Sequence, residues 1–301
     1  MRTNNAVYNN VLEMIGETPL VRLNKLNKNK QVKIYVKLEG QNPGGSVKDR
    51  IALKMIVEAE KSGQLTKTKT ILEPTSGNTG IGIAMVAAVK GYQSVLTMSA
   101  GMSGERKKVL RAYGAHLIET DPALGTDGAI KKAREILVSN PEKYWMPNQY
   151  DNLNNPMAHY LTTAEEIIKQ TPDISAFVAG MGTSGTLMGV AKKLKEYRDD
   201  ISIVGIEPSY GHKIMGLKNM RESVVPKVYD GAQLNEKIVV ADGDAYKTAR
   251  QLALKEGIFV GMSSGAAVYG AIEYAKRLKS GTIVVLLPDR GDRYTSTILF
   301  G

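Results

Sequence analysis

The sequence predicts an α/β protein of two domains, each a mostly parallel β-sheet flanked by helices. Three observations lead to this expectation. The chain has 301 residues, enough for about two domains at roughly 150 residues each. Hydrophobic residues make up 43% of it and charged residues 23%, the balance of a globular protein with a sizeable core. Short apolar segments alternate with segments of helical periodicity, a pattern typical of βαβ units.

The elements follow one another in a regular order. Residues 32–38 alternate apolar and polar side chains and predict a strand, and a helix follows until Gly63. The same reasoning predicts further strands at 70–73, 94–98, 116–118, 176–179, 201–206 and 283–287, and helices near 81–89, 105–113, 130–138, 158–169, 186–197, 245–256 and 266–278. Residues 209–242 are polar and poorly periodic, so we expect a long irregular segment there, of the kind that carries function.

Composition excludes several classes of site and partner. The absence of cysteine excludes disulfides, iron–sulfur clusters and thiol nucleophiles, and the three histidines lie too far apart in sequence to suggest a metal site. The net charge of +10 comes from lysines and arginines in short, scattered clusters with few aromatic residues between them, so we expect no nucleic-acid partner. A positive field suits small anionic ligands.

The sequence predicts neither a secretory leader nor a membrane span. The first five residues lead into mixed polar sequence. No segment approaches the ~18 consecutive apolar residues of a membrane helix. We therefore expect a soluble cytoplasmic protein.

Lys48 is the first candidate for chemistry. It lies in the glycine-rich segment 42–50, where Ser46 and Asp49 have the spacing of a helix capping box. The positive end of a helix lowers the pKa of a lysine, and Schiff-base chemistry requires a neutral amine. Taken alone, a lysine in such a segment is better explained as solvent-facing.

Two further segments join glycines and hydroxyls at a predicted helix start. Residues 75–80, Thr-Ser-Gly-Asn-Thr-Gly, suit a carboxylate or phosphate, although an ordinary helix cap has the same composition. Residues 180–186 match the dinucleotide motif G-x-G-x-x-G, with Glu207 after the next strand as a ribose partner. Their three hydroxyls better suit a terminal phosphate. Residues 261–266 place Ser263 and Ser264 at another helix start. Together with Lys48, these hydroxyl-bearing helix starts favour one ligand that carries a phosphate and an aldehyde.

Several segments together resemble the fold-type II pyridoxal-phosphate enzymes of cysteine synthesis, most closely the cysteine synthase B branch. The likeness lies in the order and spacing of residues 15–21, 41–50, 75–82, 148–150, 182–186, 261–267 and 289–294, and covers essentially the whole chain. It implies a tryptophan synthase β-like fold with a smaller, mobile domain of residues 36–147 and a larger domain of residues 1–35 and 148–301. It also implies a homodimer.

The resemblance implies a role for each candidate residue. Lys48 would form the internal aldimine with pyridoxal 5′-phosphate, Asn78 would bind its ring oxygen, and Ser263 would face its pyridine nitrogen. The phosphate would be held by Gly182, Thr183, Ser184, Gly185 and Thr186. The carboxylate of the amino-acid substrate would be held by Thr75, Ser76, Thr79 and Gln149.

The implied reaction is a β-replacement that makes L-cysteine from O-acetyl-L-serine and sulfide through an aminoacrylate intermediate. A neutral hydroxyl facing the pyridine nitrogen makes the ring a weaker electron sink than an aspartate would, which favours prompt loss of a β-substituent. Within the same chemistry, the donor could be O-phosphoserine, or L-cysteine with release of hydrogen sulfide, and cystathionine-, lanthionine- or serine-forming reactions also fit. Outside it stand an NAD-binding Rossmann oxidoreductase and a non-catalytic phosphate-binding protein.

Donor choice is expected to depend on the irregular segment. Some relatives with a basic residue in this stretch accept O-phosphoserine, and Lys218 occupies that point of the match. An ammonium near a departing phosphate interacts more strongly than one near a neutral acetyl group. Asp230 is a second candidate for substrate binding. Both residues are equally compatible with an exposed loop, Lys218 as a surface charge and Asp230 as a turn residue.

Overall fold

The computed structural model of the chain describes residues 7–75, 77–102, 104–222 and 224–301. The strands are β1 (Leu20–Arg22), β2 (Val32–Leu38), β3 (Thr70–Pro74), β4 (Ser94–Ser99), β5 (His116–Thr120), β6 (Tyr144–Trp145), β7 (Ala176–Gly180), β8 (Ser202–Pro208), β9 (Glu236–Val240) and β10 (Gly281–Leu287). The helices are α1 (Lys48–Lys61), α2 (Asn78–Lys90), α3 (Gly104–Ala112), α4 (Gly125–Ser139), α5 (Asn154–Ala158), α6 (Ala164–Gln170), α7 (Gly185–Tyr197), α8 (Asp242–Gln251) and α9 (Met262–Ala275). A π-helical turn, His159–Thr163, connects α5 to α6, and another, Leu252–Glu256, extends α8.

The strands form two sheets. One has six strands in the order β1-β2-β10-β7-β8-β9, and the other has four in the order β5-β4-β3-β6. Neighbouring strands run parallel except for β1, which is antiparallel to β2. The predicted α/β class with mostly parallel sheets is therefore confirmed.

Strand β10 shows why the larger sheet needs helices on both faces. Ile283, Val285 and Leu287 pack into an apolar cluster with residues of α8 and α9. The alternate residues Val284 and Leu286 pack on the opposite face with residues of α6 and α7. Because both faces are buried, this strand is an almost continuous apolar run, as parallel strands covered on both sides are.

The smaller sheet is formed entirely by strands between residues 70 and 145, whereas β2 belongs wholly to the larger sheet. Helices α1 and α2 share an apolar cluster with β3 and β4, which includes Ile51, Met55, Ile83 and Leu96. The division of the chain into domains at residues 36 and 147 stays a prediction.

Strand β9 corrects one expectation. It lies inside residues 209–242, which the sequence analysis treats as irregular, and pairs with β8. As an edge strand it keeps side chains such as Lys237 and Val239 exposed, so its sequence lacks the apolar run of a central strand. The three-residue β1 and the two-residue β6 were missed because they are too short to show a period.

Among the described residues, none of the helices has the length and apolar character needed to cross a membrane.

Four buried charged side chains, from β2 and the turn after it, from α1 and from α6, form one network. The Arg50 guanidinium of α1 binds both oxygens of Glu39 at 2.7 and 2.8 Å, and both oxygens of Glu166 of α6 at 2.6 and 2.8 Å. The Lys37 ammonium of β2 donates to Glu166 at 2.7 Å. Two positive and two negative groups are thus paired in the interior, where an unpaired charge is costly.

The network sets the ionisation of Glu166. Burial by itself would raise the pKa of this carboxyl, but the hydrogen bond and charge of Arg50, together with Lys37, lower the pKa to about 2. The carboxylate therefore stays ionised throughout the neutral and mildly acidic range, and it stabilises the folded chain wherever an unfolded glutamate would also be ionised.

We expect Glu166→Gln to lower the free energy of unfolding by about 3 kcal/mol at pH 7, because it leaves two buried cations with too little negative charge. The folded pKa is depressed, so this stabilisation is complete above about pH 4.3 and declines as the pH falls towards 2. Urea unfolding of both proteins at neutral pH and near pH 3.5 measures the difference. Glu165→Gln is the control, since that side chain is 40% exposed and pairs with Lys193. Equal losses in the two variants would contradict the prediction.

Candidate functional site

The candidate site is a cavity at the carboxyl ends of β7 and β10. Such crevices at strand carboxyl ends are the usual ligand sites of open α/β sheets. Helices α1, α2, α7 and α9 all begin at its walls. The cavity brings together seven of the predicted site residues from four distant parts of the chain, namely Lys48, Asn78, Gly182, Thr183, Ser184, Thr186 and Ser263.

Lys48 is the first residue of α1, as the sequence predicts. Ser46 Oγ accepts a hydrogen bond from the Lys48 backbone N–H at 3.2 Å. The expected capping box is wrong in its second half, because the Asp49 carboxylate accepts from the Gly44 N–H at 2.6 Å instead of bonding back to Ser46. Asp49 therefore closes the glycine turn that precedes the helix.

The start of α1 is also tied to the larger sheet. The Val47 N–H donates to the Pro288 carbonyl at 2.8 Å, directly after β10. Ser46 and Asp289 form an isolated antiparallel bridge beside this bond. These contacts place Lys48 at the wall of the cavity.

The Lys48 amine has a perturbed pKa. Burial lowers this pKa to about 8, although the negative charge of Asp289 opposes the shift. About one amine in ten is then neutral at pH 7, far more than for an ordinary lysine. The expected cause of such a shift was the helix end, whereas in the structure the pKa is lowered by burial.

The glycine-rich turn between β7 and α7 packs closely against other parts of the chain. A Cβ at residue 182 would collide with the carbonyl oxygen of Gly216, and one at residue 185 with the side chain of Asn155. Ser184 has φ +64°, a left-handed conformation that directs the chain into the helix. Its Oγ is buried and has no hydrogen-bond partner within the described ranges.

The other two hydroxyls of this turn are held in place. Thr183 Oγ1 accepts from the Asn155 amide at 3.1 Å, and Thr186 Oγ1 contacts His159 Nε2 at 3.1 Å. His159 is buried, and burial together with the charges of Arg50 and Lys48 holds the pKa of this imidazole well below its usual range. A buried, unpartnered hydroxyl beside the start of α7 fits a phosphate group.

The serines of the 261–266 segment lie at the start of α9. Ser263 is buried and lines the cavity, and the buried Oγ of Ser264 lacks a partner in the part of the chain that the structure describes. No carboxylate is among the residues expected to face the pyridine nitrogen, so a ring placed against Ser263 meets a neutral group.

Of the predicted carboxylate-binding residues, Thr79 and Gln149 contact each other, and neither they nor Thr75 line the cavity. Thr75 directly follows β3, and Thr79 Oγ1 donates to Gln149 Oε1 at 2.8 Å. Gln149 and Thr79 are both buried. Ser76 lies outside the described residues.

Glu73 is a residue that the sequence analysis missed. Its carboxylate, in β3, accepts the backbone N–H groups of Asn148 at 2.9 Å and Gln149 at 3.2 Å. Burial raises the pKa of this carboxyl to about 7, against the effect of these two hydrogen bonds. An acidic residue within an otherwise apolar strand was the signal that could have identified it.

Asn78 and Asp289 form a second contact that the sequence did not reveal. The Asn78 amide, at the start of α2, donates to Asp289 Oδ2 at 2.7 Å. Asp289 is fully buried at the end of β10 and lines the same cavity.

The two residues proposed to read the donor differ in their surroundings. Lys218 follows Leu217, a residue of the cavity wall, and its N–H donates to the Met181 carbonyl at 2.7 Å. Its half-buried ammonium lies 5.0 Å from the centre of the Tyr150 ring. Burial lowers the pKa of Lys218, against the charge of Asp127.

Asp230, by contrast, is exposed and caps a short turn. Its carboxylate accepts the Ala232 N–H at 3.0 Å. It is not among the residues that line the cavity. A part for Asp230 in substrate binding stays a prediction.

The chain is similar to known proteins over nearly its whole length. A family model described as pyridoxal-phosphate dependent enzyme matches residues 11–289. Cysteine synthase B of Salmonella typhimurium is 44% identical, with 97% of this chain and 96% of the relative covered.

Two solved structures are also similar. Cysteine synthase (OASS) from Entamoeba histolytica has a TM-score of 0.95 and 38% identity, with 100% of this chain and 93% of the other covered. A hydrogen sulfide-producing enzyme from Fusobacterium nucleatum has a TM-score of 0.91 and 45% identity, with coverage of 97% and 99%.

Proposed function

This chain belongs to the family of pyridoxal-phosphate-dependent enzymes, and from that premise we propose that it makes L-cysteine from O-acetyl-L-serine and sulfide by β-replacement. The observation that carries the proposal is the buried Lys48 amine, with a pKa of about 8. It shares one cavity with the turn at residues 182–186, whose hydroxyls suit a phosphate. Similarity to cysteine synthases over nearly the full chain supports the choice of reaction. Membership of the family disfavours a dinucleotide at residues 180–185.

The residues of the cavity fit pyridoxal phosphate. The unpartnered hydroxyl of Ser184 and the start of α7 would hold the phosphate, together with Gly182, Thr183, Gly185 and Thr186. Lys48 would hold the aldehyde carbon through its amine, Asn78 would bind the ring oxygen and Ser263 would face the ring nitrogen. When bound, the group withdraws electrons from Cα of an attached amino acid.

Lys48 acts as the base and acid of the proposed reaction. Its amine removes the proton from Cα of the substrate, the acetate leaves from Cβ, sulfide adds at Cβ, and Lys48 returns a proton to Cα. A pKa of about 8 suits both removal and return of the proton, because a general base or acid works best when its pKa lies near the working pH. The neutral Ser263 favours prompt loss of the leaving group over reactions that need a long-lived carbanion.

The substrate carboxylate would be bound by Thr75, Ser76, Thr79 and Gln149. Support comes from the bond between Thr79 and Gln149, and from Glu73, which holds the Gln149 backbone. We further propose that the smaller domain, predicted as residues 36–147, moves so that this loop closes on the substrate and excludes water. Residues 36–38 pair with β10, so the moving part would begin after β2.

A second candidate is release of hydrogen sulfide from L-cysteine. It is supported by the similarity to the hydrogen sulfide-producing enzyme from Fusobacterium nucleatum. The same residues would perform it, because sulfide would leave from Cβ of cysteine as acetate leaves from O-acetyl-L-serine, and water or a second thiol would then add at Cβ to give serine, lanthionine or cystathionine. Following sulfide and amino-acid products together, with O-acetyl-L-serine, O-phospho-L-serine, L-serine and L-cysteine as donors, distinguishes the candidates.

We also propose a homodimer located in the cytoplasm. Leu153 directly before α5, Met157 in it and Leu161 in the turn after it follow at intervals of four residues, and their exposures are 74%, 37% and 49%. Residues at this spacing share one helix face, so they form a candidate apolar contact with a second copy. Light scattering should give the mass of two chains for the native protein and of one chain for Leu161→Glu. A monomeric native protein would disprove the dimer, and a dimeric variant would place the contact elsewhere.

We expect Lys48→Ala to remove turnover and to leave the fold intact. The purified native protein should be yellow and lose its colour with hydroxylamine, whereas the variant should lack the covalent link yet still bind the cofactor through residues 182–186. Absorbance spectra, circular dichroism and the initial rate of cysteine formation measure these properties. Lys54→Ala is the control on the same helix, because Lys54 pairs with Glu58 at the surface. A near-native rate in Lys48→Ala would contradict the proposed function.

We expect Lys218→Ala to reduce the use of O-phospho-L-serine by one to two orders of magnitude, roughly one charge-assisted contact, and to leave that of O-acetyl-L-serine nearly unchanged. The value of kcat/KM for both donors measures this. Lys213→Ala is the control, because Lys213 is an exposed lysine of the same segment. If Lys218→Ala changes both donors equally, or neither, then Lys218 does not read the leaving group.

A further inference from the structure

Asp289 is a buried carboxylate for which the proposed reaction has no task. It follows Pro288 at the end of β10 and is 1% exposed. Its Oδ2 accepts from the Asn78 amide at 2.7 Å and from the Tyr294 hydroxyl at 2.6 Å. Its Oδ1 is buried and has no hydrogen-bond partner among residues that the structure describes. A carboxylate kept at this depth requires an explanation, because burial of charge is costly.

The first consequence concerns the amide of Asn78. Asn78 Oδ1 accepts from Arg293, which also donates to the Gly44 carbonyl, and Asn78 Nδ2 donates to Asp289. Both ends of the amide are therefore held in one orientation. Because an amide nitrogen carries two hydrogens, one N–H remains to donate to a ligand in the cavity.

The second consequence concerns charge. Asp289 raises the pKa of Lys48, against the larger effect of burial. The other titratable groups facing Asp289 are Arg293 and Tyr294 after β10, and Arg106 of α3, which lies 5.6 Å from the centre of the Tyr294 ring. Burial raises the pKa of Asp289, and these groups oppose that rise. Lys48 also faces His159, which burial keeps neutral.

The surroundings also hold Asp289 in its position. Gly261, next to α9, leaves no room for a side chain, because a Cβ there would meet both Asp289 Oδ1 and the Tyr294 ring. The Ser46–Asp289 bridge fixes the backbone at the same point. Asp289 therefore lies at a fixed place between α2, α1 and α9, the helices that carry Asn78, Lys48 and Ser263.

We propose that Asp289 is a positioning residue with two tasks: it orients the Asn78 amide so that one N–H is presented to the cofactor ring, and it supplies the negative charge that balances the nitrogen of Lys48. Tyr294 holds Asp289 in place, and Arg106 connects this group to α3. The proposal rests on the proposed attachment of pyridoxal phosphate to Lys48.

The test compares Asp289→Asn, Tyr294→Phe and the control Asp292→Asn, each purified as holoenzyme. Asn keeps the shape of Asp289 and an acceptor for Asn78 but removes the charge. Asp292 is exposed and pairs with Arg290, so its change leaves the cavity untouched. The readouts are the visible absorption band of the bound cofactor from pH 6 to 10, and kcat and KM for O-acetyl-L-serine.

Loss of the Asp289 charge disfavours a positive charge on the Lys48 nitrogen. In Asp289→Asn we therefore expect the absorption change to occur about one pH unit or more lower. We expect kcat to fall about tenfold with KM within about twofold, because the carboxylate-binding residues are untouched. Tyr294→Phe should shift the band in the same direction by less, since it leaves Asp289 more easily protonated. Asp292→Asn should match the native enzyme.

An Asp289→Asn holoenzyme with the native band and kcat would overturn the proposal. If circular dichroism shows that this variant does not fold, Tyr294→Phe decides, and a native pH dependence there overturns the proposal. A failure of the proposed function is recognised separately, because the native protein would then lack any cofactor band that Lys48→Ala alters.

Discussion

The position of Lys48 depends on a balanced group of four buried charges. Arg50 lies two residues after Lys48 and binds two carboxylates, Glu39 and Glu166, while Lys37 supplies the fourth charge. Lys37 comes from β2, Glu39 from the turn directly after it, Glu166 from α6 and Arg50 from α1. A guanidinium would be very costly to bury alone, so Arg50 stays with its two carboxylates, and this fixes the position of the start of α1.

Around that fixed helix start, the site is assembled from groups whose charges oppose one another. Burial favours the neutral amine of Lys48, and Asp289 favours the charged one, so the pKa of about 8 reflects both. The phosphate turn contributes hydroxyls and helix N–H groups, whose positive potential suits an anion. Ser263 brings no charge at all. An electron-withdrawing cofactor held here would lie beside a base whose pKa is close to the working pH. Its ring nitrogen would face a neutral hydroxyl.

Several residues act by holding others in place. Asn155 fills the space beside Gly185, donates to Thr183 and also binds the Gln149 carbonyl at 2.7 Å. It thus connects the turn at residues 182–186 to Gln149, which are the proposed binding sites for the phosphate and the substrate carboxylate. Glu73 acts similarly on the Gln149 backbone. The two proposed binding sites would in this way be connected through buried polar contacts, which are strong because each group is desolvated and paired.

The sequence by itself determined the elements and the motifs whose signal is local. The alternation in β2, the apolar run of β10, the helix start at Lys48 and the glycine turn at residues 180–186 depend on neighbouring residues, and they were predicted within a few positions. The edge strand β9 was missed because exposed positions leave no period. Only the tertiary structure decided how Asp289 meets Asn78 across 211 positions, or how Arg50 meets Glu166 across 116. These pairings arise from chain crossings that bring distant strand ends together, and burial then makes each unpaired polar group costly enough to select its partner.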